Sequence, residues 1–213
     1  MANGLFITLE GVEGSGKTSH AAMLAERLRA QGRGVLLTHE PGGTRAGEAI
    51  RAIFLDPSIA LDVASELLLV LADRAQHVRE KLKPAIASGE IVISDRYSDS
   101  TVAYQGYARG FDLKLLGELN RLATAGVMPD LTIVLDVPVE TALARTRKRH
   151  QGGAFDRFES ETAEFHRRVR AGFQAIAREE PARVIVIDSS RALDAVSADI
   201  RRAAEGLISR QCP

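Results

Sequence analysis

Leu5-Phe-Ile-Thr-Leu-Glu10-Gly11-Val12-Glu13-Gly14-Ser15-Gly16-Lys17-Thr18 is the stretch that decides the fold. Its first five residues are β-prone and apolar, as a buried strand should be. Residues 11–18 then satisfy G-x-x-x-x-G-K-[ST] at every fixed position. Residues 19–30 read as a helix. Strand, glycine-rich loop and helix together make a cradle for phosphate. The glycines let successive N–H groups turn inward around oxygen atoms. The helix N-terminus adds partial positive charge. Lys17 supplies a mobile cation for the β- and γ-phosphates, and Thr18 a hydroxyl for Mg2+. ATP is therefore expected along Gly11, Val12, Glu13, Gly14, Ser15, Gly16, Lys17 and Thr18.

Outward from this stretch, four more apolar runs read as strands, at 35–38, 91–94, 131–135 and 184–187. Helical patterns separate them. The alternation predicts an α/β fold, a parallel five-stranded sheet with helices on both faces. No repeat, linker or composition break divides the chain, so residues 1–213 are expected to form one domain. Each run leads into an acid: Glu10, Glu40, Asp95, Asp136 and Asp188. Open α/β sheets bind ligands outside the carboxyl ends of their strands. All five acids are thus expected along the ligand edge. Turn and cap preferences account equally well for Asp136 and Asp188. Asp95 differs, because Arg96, Tyr97, Ser98 and Ser100 crowd the same turn.

The bulk properties narrow the function further. A chain of 213 residues is long enough for a full α/β core. Lys+Arg and Asp+Glu both number 28, which argues against a general nucleic-acid binder. One cysteine, Cys212, leaves no intramolecular disulfide and fits a reducing compartment. There is no bilayer-length apolar run and no basic-then-apolar leader. No membrane partner is expected, and the location expected is cytoplasmic.

Two placements of positive charge stand out. Arg145-Thr-Arg147-Lys148-Arg149-His150 ends in Gly152-Gly153 and precedes Asp156-Arg157-Phe158-Glu159. Like charges this dense repel unless anions are present. After a helix over 139–145, a flexible basic lid at about 145–158 would suit closure over polyphosphate. The alternative is a solvated basic helix end favoured by the macrodipole. Arg74 falls within the apolar helical stripe Leu67, Leu71, Val78, Leu82. A guanidinium there needs a partner. It either pairs with a strand-end acid or faces an anion at the ligand edge.

Phosphoryl transfer is mostly positioning and charge stabilisation. A donor cradle, an acceptor anion site at Arg74 and Arg96, and a mobile cation source at 145–149 suggest a kinase. Its small acceptor would itself carry an anion. A phosphate acceptor has a second pKa of about 6 and is already a nucleophile at neutral pH. This suits a chain with no evident catalytic His–Asp pair.

Four blocks carry a more specific likeness: Leu9-Glu-Gly-Val-Glu13 with its loop, Glu40-Pro41-Gly-Gly-Thr44, Asp95-Arg-Tyr with Ser100 and Ala103-Tyr104-Gln105-Gly106, and Pro129-Asp-Leu-Thr-Ile-Val-Leu-Asp136. The chain resembles the bacterial thymidylate kinases, P-loop nucleoside monophosphate kinases that make dTDP from dTMP and ATP. The likeness spans essentially the whole chain. It implies that Glu13 holds the deoxyribose 3′-hydroxyl while Tyr104 disfavours a 2′-hydroxyl. Arg96 and Arg74 would hold the acceptor phosphate and the thymine edge respectively, with some sharing. Thr101 and Gln105 would contact the base, with Pro41 and Ser100 also in the substrate site. Arg145 would pack on adenine, and Glu159 would lie near the nucleoside. Thr18 and Asp95 would serve Mg2+. Some members carry a catalytic arginine in the P-loop and others in the lid. No arginine stands in this loop, so the likeness assigns Arg149 that role beside Lys17 and Arg96, with Arg147 and Arg157 as alternates. The family is typically a homodimer.

One departure touches the base. The family usually places Phe four residues before Arg74, where this chain has Val70. Other functions share the loop but not the remaining blocks. A guanine-nucleotide switch would show Asn-Lys-x-Asp, absent here. A deoxynucleoside kinase would need a carboxylate base for a neutral hydroxyl. A non-catalytic nucleotide-binding module would release no ADP.

Overall fold

The computed structural model describes residues 4–149 and 155–211. Five strands form one sheet: β1 (Leu5–Glu10), β2 (Val35–His39), β3 (Ile91–Asp95), β4 (Leu131–Asp136) and β5 (Val184–Asp188). Their order is β2-β3-β1-β4-β5. Every pairing is parallel. The expected α/β class and all five strands are present. Each strand runs one residue further than its apolar run, because the ladder continues into the last polar residue.

β1 lies at the centre, paired with β3 through Leu9 and Asp95 and with β4 through Glu10 and Val134. Its side chains alternate between two cores. Leu5, Ile7 and Leu9 pack with Leu24 and Leu28 of α1 (Lys17–Ala30) and Ile200 of α9 (Leu193–Gln211). Phe6 faces the other way, among Val78, Leu82 and Tyr97. Burial on both faces explains why these strands read as continuous apolar runs.

The remaining helices frame the carboxyl edge. α2 (Arg45–Leu55) is capped by the Thr44 side chain and α3 (Val63–His77) by Asp62. α3 continues through a π segment, Val78–Leu82, into α4 (Lys83–Ala87). α5 (Ser98–Thr101) likewise passes into a π segment, Val102–Ala108. Such segments concentrate at functional sites. α6 (Leu113–Thr124), α7 (Val139–Arg149) and α8 (Ala163–Glu179) complete the set.

α7 corrects one expectation. The basic run 145–149 is still helical and ends the helix, with Arg147, Lys148 and Arg149 in its last turn, rather than starting a flexible segment. Arg and Lys are good helix formers, and cations suit the negative end of the macrodipole. The rest of the basic run, His150 with Gly152 and Gly153, lies outside the described residues, as does Cys212.

Candidate active site

The Gly11–Thr18 loop leaves β1 and enters α1 under backbone constraints only glycine meets. Gly14 has φ +74°, and a Cβ there would lie 2.3 Å from the Ala142 carbonyl. Gly16 caps α1 in the left-handed region with no side-chain hydrogen bond, leaving the helix N–H groups to the loop. Lys17 Nζ donates to the carbonyls of Gly11 (3.1 Å) and Val12 (2.9 Å) and to the Ser15 hydroxyl. Burial, then the charge of Arg96, lowers its pKa to about 8. The Thr18 hydroxyl donates to the Asp95 carboxylate. The Thr18 hydroxyl of α1 and the Asp95 carboxylate at the end of β3, the pair expected for Mg2+, thus lie together. Among the described residues no group of three or more His, Cys, Asp or Glu could hold a metal alone.

Arg96 is the centre of a second polar cluster, on the side where the sequence led us to expect the acceptor. It follows β3 with φ +73°, left-handed for a residue with a side chain. Its N–H donates to the Leu9 carbonyl, and the Ser94 hydroxyl donates to its carbonyl. Those bonds hold the turn. The guanidinium donates to Glu13 (2.7 Å), Tyr104 (3.1 Å), Ser100 (3.1 Å) and the Gly11 carbonyl (3.0 Å). The Tyr104 hydroxyl donates to Glu13 at 2.6 Å, and His166 Nδ1 approaches the same carboxylate at 3.3 Å. Burial alone would raise the Glu13 pKa. Arg96, then His166 and Lys17, hold it well below the usual carboxylate range. Burial, then the neighbouring Glu13, raises Tyr104 well above its ordinary value, so it stays a donor.

Arg74 resolves toward the ion pair. Its Nε and Nη2 both donate to Glu40 at 2.9 Å, and Nη1 donates to Thr101 (2.8 Å) and Asn120 (2.9 Å). His77 Nδ1 meets the other Glu40 oxygen at 2.8 Å. Arg74 still borders the cavity, but its charge is matched.

The expectation that all five strand-end acids line the ligand edge is corrected. Asp95 and Glu40 do so. Glu10 is buried, accepting from the N–H of Tyr97 (2.7 Å) and from the Ser100 hydroxyl (2.6 Å). Burial, then Asp99, pushes its pKa up to about 7. Asp136 forks with Arg170, and Asp188 caps its own turn at Ser190. Turn and packing needs won at those three.

Loop, Arg96 cluster and Arg74 all open into one cavity of about 580 Å³. A sequence profile of the thymidylate kinase family matches residues 9–200. The chain belongs to the thymidylate kinase family. The thymidylate kinase of Solidesulfovibrio magneticus is 52% identical over 198 residues, covering 91% of this chain and 95% of that protein. That of Deinococcus radiodurans is 48% identical over 200 residues, covering 94% and 96%. The crystal structure of thymidylate kinase from Ehrlichia chaffeensis superposes with a TM-score of 0.78 at 36% identity, covering 95% of this chain and 99% of that one.

Most thymidylate kinase positions expected from sequence border this cavity. They include Glu13, Lys17, Thr18, Pro41, Arg74, Asp95, Arg96, Ser100, Thr101, Tyr104, Gln105, Arg149 and Glu159. Arg149 pairs with Glu159. Arg145 stands apart, donating to the Ser189 carbonyl after β5 at 3.1 Å. Arg157, an alternate for the lid role, is anchored inward on Glu66 and the Phe54 carbonyl. Sequence reasoning missed Arg51, Phe54 and His166. Arg51 and Phe54 bear no local signal. His166 did carry one: it lies on the buried stripe His166–Val169–Phe173 of α8. Val70, at the position of the usual Phe, is buried in the cavity wall.

Proposed function

We propose that this chain transfers the γ-phosphoryl group of ATP to the phosphate of dTMP, giving dTDP and ADP. The observation that carries this is the single cavity shared by the phosphate loop and the Glu13–Arg96–Tyr104 cluster. Its volume lies in the range of small-molecule sites. The relatives' name supplies thymidylate as the acceptor. An oxygen of the acceptor phosphate attacks the γ-phosphorus, and the bond to the β,γ-bridging oxygen breaks as ADP leaves.

Each residue then has a task. Lys17 and the loop N–H groups hold the β- and γ-phosphates. Arg96 holds the acceptor phosphate. Arg149 meets the transferring group. Arg74, neutralised by Glu40, suits an uncharged carbonyl on the thymine edge. Glu13 accepts from the 3′-hydroxyl, and Tyr104 fills the space of a 2′-hydroxyl. Thr101 and Gln105 contact the base, with Pro41, Ser100 and Glu159 around the nucleotide. Arg145, beside the turn after β5, packs on adenine. Mg2+ fits the Thr18 hydroxyl and Asp95 carboxylate, which are hard oxygen donors, and would there neutralise phosphate charge.

A coupled ADP-release assay across dTMP, dUMP, dCMP, AMP, GMP and thymidine tests the reaction. We expect dTMP to be preferred and thymidine to be slower by about 10³ or more, because a neutral hydroxyl forfeits the charge-assisted contact to Arg96 and is a far weaker nucleophile than a phosphate dianion. Equal turnover of thymidine would overturn the acceptor. We also infer a homodimer, supported by Leu68 of α3 and Leu122 of α6, which are 62% and 79% exposed. A monomer by sedimentation would refute it. The even charge balance and single cysteine support a cytoplasmic setting without nucleic-acid partners, and no described helix is long and apolar enough to cross a membrane.

A further inference from the structure

Glu66 sits on α3 two turns before Arg74, and its side chain is 1% exposed. A carboxylate so buried must be paired. Its partners converge from two distant segments. Gln105 of the second π segment donates Nε2 to Oε1 at 2.7 Å. Arg109, just past that segment, donates Nη2 to Oε2 at 3.1 Å. Arg157, beyond the basic run, donates Nη1 to Oε2 at 2.8 Å. Arg157 is itself fixed by the Phe54 carbonyl at 2.9 Å and, through its backbone N–H, by the Leu55 carbonyl at 3.0 Å.

The chemistry of this cluster is one-sided. A carboxylate accepts, guanidinium groups donate, and a glutamine amide does both. With Glu66 as its neighbour, Gln105 must present its NH2 group there. Its carbonyl oxygen is then committed to the opposite side. Gln105 is 2% exposed and borders the cavity, so it has little room to turn over.

We propose that Glu66 is a positioning residue for base selectivity: it locks Gln105 with its carbonyl oxygen, rather than its NH2 group, toward the base. This rests on the thymidylate kinase reading in which Gln105 contacts the base. The pyrimidines differ at the atom such a group would meet. Thymine and uracil carry an N3–H donor, whereas cytosine carries an acceptor at N3. A fixed acceptor at Gln105 matches the first pair and opposes the second. Arg109 and Arg157 hold the Glu66 carboxylate in place, and Arg157 ties the same lock to the segment following the basic run.

Glu66→Gln tests the lock. An amide at 66 both donates and accepts, so Gln105 loses its enforced orientation. The ratio of kcat/KM for dTMP over dCMP is expected to fall about tenfold or more, chiefly through a higher KM for dTMP. A residue that only supports the fold would lower the melting temperature and leave that ratio unchanged, which would overturn the proposal. Gln105→Ala separates the two levels. If it leaves the ratio unchanged, the base-contact reading fails and the lock with it. If it collapses the ratio while folded Glu66→Gln does not, only the lock fails. Should Glu66→Gln not fold, Glu66→Asp keeps the charge and withdraws the carboxylate by one methylene. It is expected to lower the ratio about threefold, and an unchanged ratio overturns the proposal.

Discussion

On the acceptor side of the cavity, cations and carboxylates are matched in fixed pairs: Arg96 with Glu13, Arg74 with Glu40. At the end of α7, three cations stand in a row, Arg147, Lys148 and Arg149. The Arg149 side chain is 59% exposed, against 1% for Arg74. The acceptor groups are thus held in position by desolvated partners, a form of preorganisation. The α7 cations are exposed, and of the three Arg149 pairs with Glu159 across the cavity edge. Damage to the first region should therefore strike stability and activity together. Damage to the second should strike rate more than stability.

The largest effect should come from Lys17, which both regions need. Lys17→Ala is expected to lower kcat by about 10³ or more with the fold intact, since Lys17 stabilises charge growing on the donor phosphates. A folded variant with near-normal kcat would refute the loop assignment. The contrast itself is tested next by pairing Arg149→Ala with Arg96→Ala. The first should lower kcat by about 10- to 10³-fold, a loss below the GTPase arginine finger because neighbouring arginines share the load. Its melting temperature should fall less than that of Arg96→Ala, because the Arg149 guanidinium is 59% exposed even though its partner Glu159 is buried. Arg149→Lys should rescue only in part, because lysine cannot span two oxygens. Arg96→Ala should instead lose both activity and about 3 kcal/mol, by stranding Glu13. Equal stability losses at the two sites would erase the contrast.

A pH experiment sharpens it from within the acceptor side. Glu10 has a folded pKa of about 7, against 4.5 as its ordinary value. Between those values the native state holds more protons than the unfolded chain, so stability falls as pH rises through that window. The contribution is on the order of 3 kcal/mol. Asp73, raised to about 6 by burial and Glu40, acts in the same direction. Glu10→Gln should flatten the profile by roughly that amount in denaturant titrations from pH 4.5 to 8. A variant as steep as the parent would contradict the assignment. The smallest effect concerns the base wall. Val70→Phe should lower KM for dTMP by about two- to tenfold through an added aromatic face. An unchanged or higher KM would show that the wall needs no such face.

The strands were readable because a parallel sheet buried on both faces leaves unbroken apolar runs, as in Leu5–Glu10. The loop residues were readable because phosphate contact demands glycine and lysine at fixed spacing. The pairing of Arg74 was posed but not settled, since Glu40 lies 34 residues away in sequence. Longer links were invisible: Glu66 meets Arg157 across 91 residues, and Arg183 meets Asp99 across 84. The π segment at Val102–Ala108 was equally hidden, because its extra residue per turn leaves no separate apolar period. The end of α7 was misplaced for another reason. Dense like charge suggests a loop, while helix propensity and the macrodipole favour continuing the helix.

Arg96 holds a backbone conformation that costs a residue with a side chain about 1 kcal/mol and glycine almost nothing. Selection for heat tolerance alone would therefore meet two opposed pressures at this position. Glycine would relax the turn, yet it would leave Glu13 and Tyr104 without their shared guanidinium. Relief of backbone strain and retention of the cation cannot be optimised separately there. In a library screened first for thermal stability and then for turnover, position 96 should be where the two rankings part most widely.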